Sequence, residues 1–401
     1  HSQGDGIYVS GGEPQLTGNT ISDCGRYGVY AQSGALNISN NTFASIANYD
    51  VYLANADNVT LSGNTITNGV YINSGELASG SGNSLVYDDA NPLKLAANDV
   101  SDFLANNTIT NITSQSYIEV VSGTISRDAT WPALMPYHIL GNITVKGLDS
   151  ENNSARLTIE AGANLKFNRY TNLYIGTSSG DPGALIAQGT QNNPVLMTSN
   201  QPSPSAGDWY GITFNNTTDD DITMLEHCII EYAGIGTSGK AIYINNASPV
   251  IASSIIRYSQ GDGINAYTGE PQIIGNTISD CGRYGVYGGY SGGQNINNNT
   301  FASIANYDVY LMSGNNVTLD GNTMNSGVYV NSATLASASG NSLVYNDAFP
   351  LKLTADDVGG FLASNTITNI TSQSYIDVAT GVISRDATWP ALMPYHILGN
   401  I

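Results

Sequence analysis

The sequence predicts an all-β solenoid, a right-handed parallel β-helix with about 22 residues per coil, built in tandem units of about 257 residues. Three observations predict it: a long internal repeat, a short aliphatic repeat inside it, and a composition that suits stacked strands. The long repeat is plain to read. Residues 18–30 (GNTISDCGRYGVY) recur at 275–287, 257 residues on, and residues 43–53 (FASIANYDVYL) recur at 301–311, 258 residues on, so one residue is inserted between the two blocks. Residues 125–143 (ISRDATWPALMPYHILGNI) return as 383–401. Differences between the copies separate core from loop. Leu16/Ile273, Ile66/Met324 and Ile72/Val330 exchange one apolar residue for another, whereas 31–37 (AQSGALN) against 288–295 (GGYSGGQN) changes length and chemistry, as a surface loop does.

The short repeat sets the coil. Asn19, Asn41, Asn64, Asn83 and Asn107 each precede Thr or Ser and then Ile21, Phe43, Ile66, Leu85 or Ile109, at steps of 22, 23, 19 and 24 residues. Asn276, Asn299, Asn322, Asn341 and Asn365 repeat the pattern before Ile278, Phe301, Met324, Leu343 and Ile367. A second aliphatic series lies upstream of these Asn (Leu16, Ile38, Leu61; Ile273, Ile296, Leu319), and a third lies downstream. The third runs Val29, Val51, Val70, Leu93, then Val286, Val309, Val328, Leu351, with Ile7 and Ile264 one coil earlier. Short β segments broken by Gly and Asn at this period suit coils stacked about 4.8 Å apart, the spacing of strands in a sheet. Leucine-rich repeats need a Leu-x-x-Leu-x-Leu frame that is missing, and a propeller blade needs about 40 residues or more. Like stacked on like fills such a core with aliphatic ladders, while a repeated Asn can hydrogen-bond the coils above and below and also tolerates αL.

Composition narrows the function. Of 401 residues, 41% are hydrophobic and 11% charged, with 32 acidic against 12 basic residues and a net charge of -20. That balance opposes binding to nucleic acid or to an anionic membrane surface. Apolar runs stay short of the roughly 18 residues a membrane span needs. Three cysteines, Cys24, Cys228 and Cys281, are too few for a disulfide framework, and each is expected to be a small core residue. The chain begins at His1 inside a repeat and reads as part of something longer.

Residues 125–234 carry a further pattern, ISRDATWPALMPYHILGNITV, LTIEAGANLKF, GALIAQGTQNNPVLMTS, GDWYGITF and MLEHCIIEYAG. It resembles the parallel β-helix repeat proteins of bacterial and archaeal cell surfaces, and the GNTIS to GVY coils resemble the same family's generic repeat. The resemblance covers nearly the whole chain. It implies the fold and an extracellular, cell-surface location, but no substrate, since one scaffold hosts adhesins, surface-layer components and polysaccharide-active enzymes. Within that frame residues 1–116 are the later coils of a preceding unit, 117–374 one complete unit, and 375–401 the opening segment of the next. Trp131, Pro132, Pro136 and Tyr137, with Trp389 and Tyr395, are expected to cover the end of a coil stack or to join one stack to the next.

Parallel β-helix lyases and glycosidases would need carboxylates clustered on neighbouring coils, about 5 to 10 Å apart for a hydrolytic pair. The candidates are Asp88 with Asp89, Asp219 to Asp221, Asp356 with Asp357, and Glu226 with His227. Asp88 becomes Asn346 in the second copy, and the Asp triplet reads as a solvated loop, so no catalytic residue is assigned. Asp23 and Arg26, repeated as Asp280 and Arg283, are expected to form a local ion pair at a coil corner. His138 and His396 share one repeat position and read as packing residues. The His and Cys spacing matches no zinc site. Structural calcium would suit an acidic extracellular chain, but neither an Asp-x-Asp-x-Asp-Gly loop nor a Gly-rich nonapeptide is present, so no metal or cofactor is assigned. Thirteen Asn-x-Ser/Thr sequons, Asn37, Asn58, Asn111, Asn142, Asn152, Asn246 and Asn369 among them, fit glycosylation of a surface protein without requiring it.

The most informative outward feature is aromatic. In Ile7-Tyr8-Val9, Val29-Tyr30-Ala31, Val51-Tyr52-Leu53 and Val70-Tyr71-Ile72, strand alternation turns the aliphatics inward and each Tyr outward. The second copy supplies Tyr243, then Asn265, then Tyr287, Tyr310 and Tyr329. Such a stripe is either a cross-strand ladder contributing roughly 0.2 to 1 kcal/mol per pair or a binding surface for glycan or for another copy of the chain. The expectation is a structural rod forming a surface layer, sheath, filament or adhesive stalk by self-association. A carbohydrate-binding adhesin is the alternative, and a polysaccharide lyase or glycosidase comes third.

Overall fold

The computed structural model describes residues 1–148, 154–384 and 386–401, so the sequon at Asn152 lies outside the described residues. Strands of this chain form because short β-branched and aromatic triplets alternate with Gly, Asn and Asp corners every few residues. Among the described residues sixteen non-Gly positions have positive φ, including Asn40, Asn58, Asn111, Asn246, Asn298, Asn316 and Asn369. These seven asparagines are all sequon positions, so turn geometry by itself accounts for Asn there. The repeated Asn of the core pattern is a different set.

All strand pairs are parallel, and the strands wind into a solenoid of about 17 turns with about 23 residues per turn. One sheet of 16 strands runs along the stack from Ile7–Ser10 to Thr366–Thr368. In the early coils the chain next visits a four-stranded sheet (Gln15–Thr17 to Leu77–Ser81) and then a five-stranded one (Thr20–Cys24 to Thr108–Thr110). From Gly123–Ile125 it visits a 19-stranded sheet twice per coil instead, and from Val309–Thr318 onward once per coil. Helix α1 (Val100–Ala105) marks the change: it packs between strands Leu77–Ser81 and Ala129–Trp131 and buries Val100, Phe103 and Leu104. Helix α2 (Val358–Ser364) repeats it.

Like stacks on like along runs of several coils. Ile7 lies over Val29, Val29 over Val51 and Val51 over Val70, while Tyr8, Tyr30, Tyr52 and Tyr71 form the adjacent column. Ile21, Ile38, Val51, Ile66 and Val70 all point inward, as do Ile278, Ile296, Val309, Met324 and Val328. Ile109 and Ile367 are only partly buried, because Thr108–Thr110 and Thr366–Thr368 are the last strands of their sheets. Cys24, Cys228 and Cys281 are buried free thiols. Trp131 lies within the stack, where its ring stacks on Tyr137 at 5.1 Å and the Tyr137 hydroxyl donates to the Pro132 carbonyl at 2.6 Å. The segment thus joins consecutive coils.

The buried asparagines make the corners polar and still satisfied. Asn41 Oδ1 accepts from the backbone N–H and Nδ2 of Asn19 at 2.9 and 3.1 Å, and Asn41 Nδ2 donates to the Leu16 carbonyl at 2.7 Å. Asn64, Asn83 and Asn107 continue the ladder, and Asn276, Asn299, Asn322, Asn341 and Asn365 rebuild it in the second copy. Each amide serves two coils, so a corner pulled from water loses no hydrogen bond.

The repeat is not a whole number of coils. Along the 16-stranded sheet ten steps lead from Val70–Ile72 to Thr323–Met324, and the equivalent strand beginning at Val328 comes only after the next corner. Strands equivalent in sequence therefore occupy different faces. Tyr30, Tyr52 and Tyr71 belong to the 16-stranded sheet, Tyr287, Tyr310 and Tyr329 to the 19-stranded one, and the second copy's Thr277–Ser279 takes the place on the 16-stranded sheet.

Two predictions follow from this core. Val309→Ala should lower unfolding free energy by about 1 to 3 kcal/mol through lost burial and a residual cavity, read from denaturant titration. The second concerns pH. Asp50 and Asp308 are fully buried, each with one carboxylate oxygen accepting two backbone N–H groups from the next coil and the other lacking a donor. Burial pushes Asp50 up to about 6 and Asp308 up to about 7. Because the folded values exceed the unfolded one, their contribution is full below the unfolded pKa and is lost as pH rises through 6 to 7. Stability should climb as pH falls from 8 to 5, and Asp50→Asn with Asp308→Asn should flatten that slope; an unchanged slope in the double variant would refute the assignment.

Candidate functional site: a tyrosine platform in each copy

Strand alternation and stacking create the platform. Each Tyr follows an inward Val or Ile, so its ring faces out, and the coil step places it beside the next ring. Centroids lie 5.4 Å apart for Tyr8 and Tyr30, 5.1 Å for Tyr30 and Tyr52, and 4.5 Å for Tyr52 and Tyr71. Tyr287 and Tyr310 are 5.5 Å apart with rings nearly parallel, and Tyr310 and Tyr329 are 4.5 Å apart. Tyr8 is 54% exposed, whereas the others are half-buried.

A second row of rings explains that difference. Tyr27 packs 4.9 Å from Tyr52 and Tyr49 packs 5.3 Å from Tyr71; Tyr284 and Tyr307 do the same against Tyr310 and Tyr329, at 4.7 and 5.3 Å. The stripe is therefore a platform two rings wide. Its signal in the sequence is a Tyr three residues ahead of Tyr30, Tyr52, Tyr287 and Tyr310, in Arg26-Tyr27-Gly28 and Asn48-Tyr49-Asp50 and their second-copy equivalents Tyr284 and Tyr307. Burial followed by the neighbouring phenols pushes Tyr310 up to about 12, so its hydroxyl stays protonated in neutral water. Tyr243 stands apart: Asn265 takes the place between it and Tyr287, and Lys240 covers its ring at 4.8 Å.

Cations edge both platforms. At least six of the chain's twelve Lys and Arg side chains lie over tyrosine rings, including Arg26 over Tyr27 and Tyr30 at 5.1 and 5.3 Å and Lys94 over Tyr71 at 4.5 Å. In the second copy Arg283 lies over Tyr284 at 4.9 Å, and Lys352 lies 4.3 Å over Tyr329 and donates to its hydroxyl at 2.7 Å. The expected corner pair between Asp23 and Arg26 does not form. Arg26 reaches back one coil to Asp5, with Nε 2.7 Å from Oδ1, and Arg283 reaches Asp262 at 2.5 to 2.6 Å. Asp23 and Asp280 have positive φ at the corner, and the Asp23 carboxylate accepts from Ser22 instead. Lys94 pairs with Glu119 at 3.0 Å, so charge along the first platform is close to balanced.

The acidic candidates are not gathered into a site. Asp88 Oδ1 caps a turn by accepting from the Ala90 N–H at 3.0 Å, and Asn346 does the same for Ala348, which is why Asp and Asn interchange there. Asp89 and Asp347 each accept from a Thr and a Ser of the following loop. Asp220 accepts from the Ser248 N–H at 2.6 Å, Asp356 from Ser384, and Asp357 from Thr354. Glu226 accepts from Gln188, while His227 sits at a corner with φ 48°. His138 stacks on Tyr117 at 4.0 Å; burial, with Lys166 adding to it, pushes its pKa down to about 4. Among the described residues no group of three or more His, Cys, Asp or Glu side chains is placed to hold a metal ion, and no helix is long and apolar enough to cross a membrane.

Asp262 is fully buried, and Arg283 is the cation it meets. Arg283→Met should destabilise the chain by about 3 kcal/mol, the lower end for a stranded buried carboxylate because the guanidinium is partly solvated. Arg26→Met should cost less, since both partners reach solvent; equal effects would refute the distinction.

Two family models match the chain. The one described as right handed beta helix region covers residues 1–102 and 210–378, and the one described as pectate-lyase like beta helix domain covers residues 123–240. No curated protein and no solved structure matches it. With the first model spanning more than half of the sequence over coils that stack continuously, the chain belongs to the right-handed β-helix family.

Proposed function

We propose that the chain is part of an extracellular structural protein, a rod of tandem β-helix units that self-associates at the cell surface into a layer, sheath, filament or adhesive stalk. The observation that carries this reading is the duplication of the whole platform: two Tyr rows, edging cations and partner carboxylates, kept in both copies while nearby loops drift. Rods and lattices gain from a repeated contact surface, whereas a reaction centre gains little from a second copy along one rod. The structural employment of the candidate carboxylates supports the same reading. So does the net charge of -20, which keeps an exported rod soluble except where opposite charges are paired.

The second reading is a carbohydrate-binding adhesin. Rows of outward, half-buried tyrosine with Arg and Lys at their edge present apolar ring surface and hydrogen-bond donors together, the combination that pyranose rings and their hydroxyls require. A polysaccharide lyase or glycosidase is the remaining alternative.

Sedimentation velocity and negative-stain electron microscopy of the 401-residue chain test the proposal. Concentration-dependent growth into filaments or lattices is expected. Strictly monomeric behaviour with selective binding on a glycan array would replace it with the adhesin reading. Carboxylate-dependent release of reducing ends or unsaturated uronates would replace it with an enzyme.

A further inference from the structure

Resting on that reading, we infer that one chain offers two docking faces pointing in different directions, so that copies join through them into an extended, unbranched chain of copies and not into a closed pair. The geometry begins with the repeat length. Ten coils plus one further face separate Tyr71 from Tyr329, so the first platform lies on the 16-stranded sheet and the second on the 19-stranded sheet, one corner further round the coil. Two platforms on one face, though spaced along it, could both be met by one straight neighbour, zipping two rods together and saturating. Platforms on adjacent faces cannot both be covered by one straight neighbour, so each recruits its own.

A second copy of the chain is the occupant these faces fit. Ring spacing on both platforms is 4.5 to 5.5 Å, because both inherit the strand spacing. A stripe on another copy has the same period by construction, and its rings meet these in register over the whole length. Charge favours the same occupant. Two molecules of net charge -20 repel over most of their surface, whereas Arg26 with Asp5, Lys94 with Glu119, and Arg283 with Asp262 leave the platforms near balance. Such paired patches are where two acidic rods approach at least cost. A stripe meeting its own copy related by a two-fold axis closes as an isologous pair, so growth beyond two copies needs the second face. Each additional copy of the repeat in tandem would carry its platform one face further on.

Three variants test this: Tyr30→Ser/Tyr52→Ser/Tyr71→Ser, Tyr287→Ser/Tyr310→Ser/Tyr329→Ser, and all six together. The wild type should sediment as species larger than dimers, each triple variant should stop at dimers, and the sixfold variant should remain monomeric. Thermal unfolding checks that the aliphatic core survives. Amine-reactive cross-linking of the wild type gives a reading that needs no variant: intermolecular links should involve Lys94 and Lys352, which edge the two platforms. A wild type that assembles while either triple variant assembles equally well, or while one is already monomeric, would overturn the two-face geometry and leave self-association standing. Intermolecular links that avoid both lysines would overturn it too. A monomeric wild type would overturn both, and platforms that capture a β-linked hexasaccharide such as cellohexaose without self-association would assign them to glycan.

Discussion

Parallel stacking of one coil on the next is the constraint on which everything else in this molecule depends. Backbone hydrogen bonds fix the step between coils, and the register then decides what each side chain meets above and below it. Val stacks on Val, Asn on Asn and Tyr on Tyr over runs of coils, because an unlike residue within such a run leaves a cavity, an orphaned amide or a misplaced ring, and each tyrosine run ends where Lys94 or Lys352 takes the next place. Few long-range decisions remain once the step is set. Repetition in the sequence is the direct image of that restriction.

The same stacking also makes surface features periodic without selecting them for function. A ring outside Val29 brings a ring outside Val51 within stacking distance, and an Arg at one corner reaches a carboxylate one coil back sooner than one beside it. Stabilisation thus draws on the same residues to which the proposed function assigns recognition. The tyrosine column helps hold its sheet, its second row narrows the exposed strip, and its cations sit over rings while also neutralising Asp5, Glu119 and Asp262. The buried Asp50 and Asp308 show a related trade: each holds two N–H groups of the next coil, and each carboxylate pays for it in desolvation.

Much of this was legible in the sequence. The aliphatic columns, the Asn ladder and the outward Tyr are all local consequences of period and alternation, so Val51, Asn64 and Tyr52 could be placed by counting. The carboxylate partners were not legible. Asp23 stands three residues from Arg26, yet a residue at φ 57° turns its side chain away, while Asp5 is one coil distant in sequence and adjacent in space. The second tyrosine row was present in the motif but lies ahead of the strand, where alternation gives no direction.

By itself the sequence determined that this chain is a β-helix, which residues fill it, and that its outward tyrosines come in two sets. Those are properties of the period, and a period can be read from one dimension. Only the tertiary structure decided that the two sets occupy different faces. Coil length varies: Tyr137 pairs with Leu165, Leu165 with Met197 and Leu196 with Ile229, steps of 28, 32 and 33 residues, against 19 from Ile118 to Tyr137 and 26 from Ile229 to Ile255. Loops absorb that variation without disturbing the register of the strands, so a repeat constant in residues need not be constant in angle. The physical reason is that hydrogen bonding fixes the rise per coil, whereas nothing local fixes where along a 257-residue repeat the circuit closes.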